Sequence, residues 1–194
     1  MVVIFTGIRA GYFCCINSNN MNPATTISTL HQLLDHDARK FISAEVILRQ
    51  ALPVWITRCG SLNLKTVLQK YHDEVEAHLV KFEDFVTTEQ ISSLTLVNGI
   101  MEAYVADIND KMHLCSDSEV RDAVLLAGIQ LINHYKISIY GTAAAFARAL
   151  DMEQAATIFY SAEAAEKQTD SRLSQLAEFD INKKARSPFS LQQF

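Results

Sequence analysis

Apolar residues recur at helical spacing through most of this chain. Leu30, Leu33, Leu34, Ala38, Phe41, Ala44, Ile47, Leu48, Ala51 and Leu52 trace one stripe of period 3.6. That stripe predicts a first long helix over Thr25 to Cys59, with Thr25, Thr26 and Ser28 available as N-caps, a kink at Pro53 and an end at Gly60. A second stripe, Leu64, Val67, Leu68, Tyr71, Val75, Leu79, Phe82 and Phe85, predicts a helix capped by Ser61 or Asn63 and running to about Thr87. Ile91 to Met112 is a shorter amphipathic segment. Asp117 caps a third long helix ending near Leu150, and Asp151 caps a fourth that runs to about Lys184.

The third long helix carries an anomaly. Asn133, Lys136 and Tyr140 stand at i, i+3 and i+7 and share one face, among Ile129, Ile132, Ile139 and Ala143. An ammonium on an apolar face needs a partner, so another helix is expected to turn carboxylates toward Lys136. Glu45 lies within the first stripe, Glu74 and His78 stand at i and i+4 on the second helix, and Glu163, Glu166 and Asp170 at i, i+3 and i+7 on the fourth. Carboxylates completed by an imidazole are the ligand set of two-metal helical bundles, because they bridge two cations and balance their charge. Taken singly, a helical glutamate is usually a solvated surface residue. Cys59 and Cys115 read as apolar fillers or helix-end residues. His134, about 100° round from Asn133, reads as a residue of a helix interface.

Four long helices, with one long connection between the second and third, predict an all-α four-helix bundle whose crossover contains an extra helix. Three prolines and six glycines in 194 residues agree with that. A net charge of −5, mixed along the chain, excludes the basic face that nucleic acid requires. No run is long enough to span a membrane. Four cysteines lack zinc spacing and a secreted disulfide pattern, which points to a reducing cytoplasm. Residues 1–22 are apolar, then polar, without period. Gly7, Arg9 and Gly11 interrupt the apolar stretch and no small-x-small cleavage site follows, so the segment reads as a poorly ordered extension, not a signal peptide. Residues 23–185 form the bundle and 186–194 an irregular tail. No phosphate loop, zinc signature or Ser-His-Asp order is present.

Four segments resemble the YciF/YciE-type ferritin-like proteins of the DUF892 family: SAEVILRQALP (Ser43 to Pro53), LKTVLQKYHDEVEAHLVKFE (Leu64 to Glu83), INHYKISIYGTAAAFARAL (Ile132 to Leu150) and AEKQTDSRLSQLAE (Ala165 to Glu178). The resemblance implies a ferritin-like bundle, a di-iron-type site in typical members, an association with stress and a tendency to dimerise. Carried over by position, it offers Glu45, Glu74, His78, Glu166 and Asp170 as residual metal ligands. Typical members read Glu-His-Tyr-Glu where this chain has Asn133, His134, Tyr135 and Lys136. One glutamate has become an amide and the other a cation. The expectation is therefore a degenerate site without a cofactor, in a homodimeric protein with a structural or interaction role and no catalytic residue. The alternative is an iron- or manganese-dependent oxidoreductase or iron-handling protein that uses the remaining carboxylates.

Overall fold

The structure, a computed structural model, describes residues 26–91 and 96–186. Its helices are α1 (Leu30–Arg58), α2 (Leu62–Thr88), α3 (Gly99–Leu114), α4 (Ser118–Ala149) and α5 (Glu153–Leu176). A π-helical turn (Ala177–Ile181) and a short α6 (Asn182–Ala185) follow. No strand occurs among the described residues. Helices α1, α2, α4 and α5 form a ferritin-like four-helix bundle in the order α1–α2–α5–α4 around the square, and α3 lies in the crossover against α1 and α4.

Local chemistry sets the helix ends. Thr29, not Thr25, Thr26 or Ser28, caps α1: its hydroxyl accepts from Gln32 N, while Gln32 Oε1 accepts from Ser28 N. This is a capping box displaced by one residue. α1 passes through Pro53 and ends because Cys59 turns extended (φ −68, ψ 134), so no left-handed glycine is involved. Asp122 of α4 then accepts from both Gly60 N and Ser61 N, at 2.9 and 2.7 Å, and Arg121 Nε donates to Arg58 O. One dipeptide thus satisfies groups on both sides of the α1–α2 turn. Ser61 caps α2 and Asp117 caps α4, as the sequence predicts. Asp151 does not cap α5: it takes φ 56 in the α4–α5 turn, and Met152 holds the cap position without a side-chain bond. The crossover helix starts at Gly99, capped by Asn98, well after the expected Ile91.

The core falls into two halves. One is aliphatic, built from Leu48, Leu52, Leu64, Leu68, Ile129 and Leu173 with Trp55. Its crossover helix sits close because α4 has glycine at 128, where a Cβ would meet Ile108 Cγ1 at 2.4 Å. The other is made of phenylalanine and alanine. Ala143, Ala147, Ala155 and Ala162 leave room between α4 and α5 for Phe41, Phe82 and Phe159, whose rings meet edge-on or tilted. Between the halves lies a polar layer. Residues 1–25 and 187–194, which hold the expected extension and most of the expected tail, are outside the described residues.

Candidate metal centre

Three side chains on one face of α4 enter the polar layer. Asn133, Lys136 and Tyr140 are each 0% exposed, because α4 is packed on both flanks, by α1 and by α5. Lys136 Nζ lies 2.9 Å from Glu45 Oε1 on α1 and 2.5 Å from Glu166 Oε1 on α5, and donates to Tyr71 Oη on α2 at 3.2 Å. The ammonium hydrogen-bonds Glu45 Oε2 and Tyr71 Oη and makes its contact with Glu166 Oε1 as an ion pair. The Tyr140 hydroxyl donates to Glu45 Oε1. Glu166 Oε2 accepts from Tyr71 Oη at 2.9 Å and from Asn133 Nδ2 at 2.5 Å. His78 Nδ1 stands 3.2 Å from Glu45 Oε1; a carboxylate only accepts, so that nitrogen carries the proton. Every long helix contributes to the layer.

The electrostatics follow from this geometry. Burial pulls the Lys136 amine down, but the Glu166 and Glu45 carboxylates overcome it and hold the amine well above its ordinary value. Burial pushes the Glu45 carboxyl up, while Lys136 and the His78 and Tyr140 hydrogen bonds prevail and set it below the ordinary range. Burial raises the Glu166 carboxyl; Lys136 opposes this and the negative charge of Glu45 adds to it. Burial and the nearby carboxylates also keep Tyr71 and Tyr140 protonated as donors. Two carboxylates share one ammonium, and the phenols and amide hydrogen-bond them, while Glu166 Oε1 and Asn133 Oδ1 have no hydrogen-bond partner among the described residues.

The structure brings together Glu45, His78 and Glu166 of the five expected ligands. They form a buried group whose ligand atoms lie within 4.8 Å of one another and which could hold a metal ion. Glu74 is instead on the α2–α5 seam, where it accepts from Thr169 Oγ1 at 2.7 Å and Arg172 Nη1 at 3.3 Å. Asp170 pairs with His134 Nε2 at 3.2 Å across α4 and α5, and Glu163 pairs with Lys167 at 2.6 Å. The reason is angular. Seven residues bring Tyr71 within about 20° of His78 round the helix, whereas four set Glu74 about 40° to the other side, toward α5. The apolar stripe of α2 makes Tyr71 a core residue; its i, i+7 relation to His78 is the signal for its place in the layer.

These residues do not fit a pair of divalent cations. Two ions need about four carboxylates to balance them, and this layer supplies two. The ammonium occupies the space between those two. A divalent cation ~4 Å from it would be repelled by about 8 kcal/mol at an effective dielectric of about 20. Cys59 offers no alternative chemistry: burial, with Asp122 nearby, pushes its thiol up to about 12.

The DUF892 family, described as a domain of unknown function, matches residues 29–186. YciF of Escherichia coli strain K12 is 28% identical over 160 residues, 82% of this chain and 96% of its own length. The crystal structure of the E. coli stress protein YciF superposes with a TM-score of 0.76 at 27% identity, covering 81% of this chain and 100% of that one. YcfI from Rhodopseudomonas palustris superposes with a TM-score of 0.75 at 22% identity, over 78% of this chain and 96% of the other. No described helix is long and apolar enough to cross a membrane.

Proposed function

The chain belongs to the DUF892 family, and from that premise we propose that it is a ferritin-like bundle whose metal position is filled by its own lysine, serving a structural or interaction role and not redox catalysis. The observation that carries this reading is the Lys136 ammonium, 0% exposed and 2.5–3.0 Å from carboxylate oxygens on two other helices. In a metal-free bundle, Glu45 and Glu166 would repel each other and take up protons. A built-in cation removes that repulsion and ties α1, α4 and α5 together without a cofactor. A part in a stress response is supported by the likeness to the E. coli stress protein YciF; a cytoplasmic homodimer is the form in which we propose that it acts.

Thermal unfolding tests the reading. The midpoint should be the same in chelator and in excess iron or manganese, because a ligand that does not bind the native state adds no stability. One observation favours a second reading, a single residual metal: the compact Glu45–His78–Glu166 group. That reading requires Lys136 to leave the layer, and it predicts a midpoint several degrees higher with metal than in chelator.

A further inference from the structure

A shallow groove of about 470 Å³ opens between the start of α2 and the end of α5, at the end of the bundle from which α6 leaves. Asn63, Thr66 and Val67 stand on one wall, and Leu176, Phe179 and Asp180 on the other. The π-helical turn shapes the second wall. Ile181 enters the core at 2% exposure, while Phe179, two residues earlier, is 64% exposed. Turns of this kind are frequent at functional sites. Lys183 Nζ sits over the Phe179 ring, 5.3 Å from its centroid, yet most of the ring stays in solvent. Leu62, next to Asn63 at the start of α2, is 75% exposed.

The charged groups at this groove are already engaged. Asp180 accepts from Asn63 Nδ2 at 2.9 Å and pairs with Lys184 at 2.6 Å, and Arg172 faces Glu74 at 3.3 Å. What is left is an apolar strip of Val67, Leu176 and Phe179, which suits an uncharged, apolar segment. Residues 187–194, SPFSLQQF, follow α6 directly. They hold no charged side chain and carry Phe189, Leu191 and Phe194 among eight positions. Pro188 disfavours helix at Ser187 and so favours a change of direction there. The reach suffices. At 1.5 Å per helical residue, Phe179 to Arg186 advances ~10 Å, and the wall from Arg172 to Phe179 is another ~10 Å. Eight extended residues span up to about 26–29 Å.

We infer that residues 187–194 fold back along this groove as a strap across α2 and α5, with Phe189 and Leu191 against Val67, Leu176 and Phe179. The neighbouring cleft at the same end, whose walls include Ser61, Ser118, Glu119 and Asp122, is polar and acidic and does not suit such a segment. The strap ties the first turns of α2 to the last turn of α5. The inference is independent of the proposal for the polar layer, since no residue of that layer lines the groove.

Thermal melting and methyl NMR of the full chain, set beside a chain ending at Arg186, test it. Removing residues 187–194 should lower the midpoint by roughly 3–6 °C. It should also shift the methyl signals of Val67 and Leu176 and leave those of Val54 and Val80, exposed elsewhere, in place. Phe189→Ser with Leu191→Ser should reproduce both effects in the 194-residue chain. Phe179→Ser should cost a similar amount in the full chain and almost nothing in the shortened one, where the ring is bare in any case. An unchanged midpoint with unmoved Val67 and Leu176 signals on shortening would overturn the inference, and so would an equal cost of Phe179→Ser in both chains. Effects that grow with protein concentration would overturn it too, by assigning the groove to a second copy.

Discussion

Two glutamate–cation contacts lie less than two helical turns apart along α5, at Glu166 and Arg172, and differ in their surroundings. In the polar layer, Lys136 is shared by Glu45 and Glu166, and all three are 0% exposed. On the α2–α5 seam, Arg172 faces Glu74 at 3.3 Å, with side chains 35% and 20% exposed. Water can replace either partner on the seam. In the layer nothing can, so each charge there depends on the others. Burial therefore decides what the same chemistry is worth: several kcal/mol when one buried partner is removed, and less than about 1 kcal/mol at a solvated site.

The sharpest way to break this contrast is Lys136→Met. It leaves two buried carboxylates facing each other and should destabilise the protein by ~3–5 kcal/mol, or roughly 6–20 °C in melting midpoint. Calorimetry reads both. A fall under 1 kcal/mol would place the layer in the same class as the seam.

The pH response of that variant sharpens the comparison further. In the natural protein, Glu45 is held below and Glu166 above the ordinary carboxylate value. A lowered carboxyl contributes stability that is lost as pH falls through its folded value; a raised one makes the folded state gain as pH falls. The Glu45 loss falls below the unfolded carboxyl value and so outside pH 7 to 5; within that window Glu166 alone acts, and the natural protein should gain stability as pH falls with a shallower slope than the variant. Lys136 itself is raised, so its contribution is complete throughout that window and is lost only at strongly alkaline pH. Without the ammonium, both carboxyls sit above their unfolded values. The folded variant then binds more protons than the unfolded chain, and Lys136→Met should gain stability as pH falls from 7 to 5. Denaturant titrations at the two pH values test the sign.

Arg172→Ala is the control on the seam. It should cost less than about 1 kcal/mol, with the loss shrinking in high salt. The smallest effect belongs to the N-terminal segment: a chain starting at Met21 should melt within a degree or two of the full chain, as expected when a segment adds little to the core.

The sequence made the fold legible because its stripes keep helical period over long runs, and because Ser61 and Asp117 mark real starts. It misplaced the start of α5, where Asp151 resembles a cap but lies in the turn. Much of the site was legible on α4, where a lysine and an asparagine among isoleucines could only face inward toward partners. It was less legible on α2 and α5. Glu74 and His78 share a face by spacing, but a difference of tens of degrees sends one to the seam and the other to the layer. Only the positions of Thr169 and Arg172 show which goes where. Tyr71 was hidden because tyrosine satisfies an apolar stripe as well as a polar layer. Its ring lies in the core while its hydroxyl serves Glu166.

The central claim is that Lys136 stands in for cations. Metal content, measured on protein purified with iron and manganese present, tests it most directly when the natural chain is set beside the double change Lys136→Glu with Asn133→Glu. The natural chain should hold far less than one ion per chain, and the double variant, with two carboxylates added and the ammonium removed, should take up iron or manganese. Two ions bound stoichiometrically by the natural chain would contradict the account.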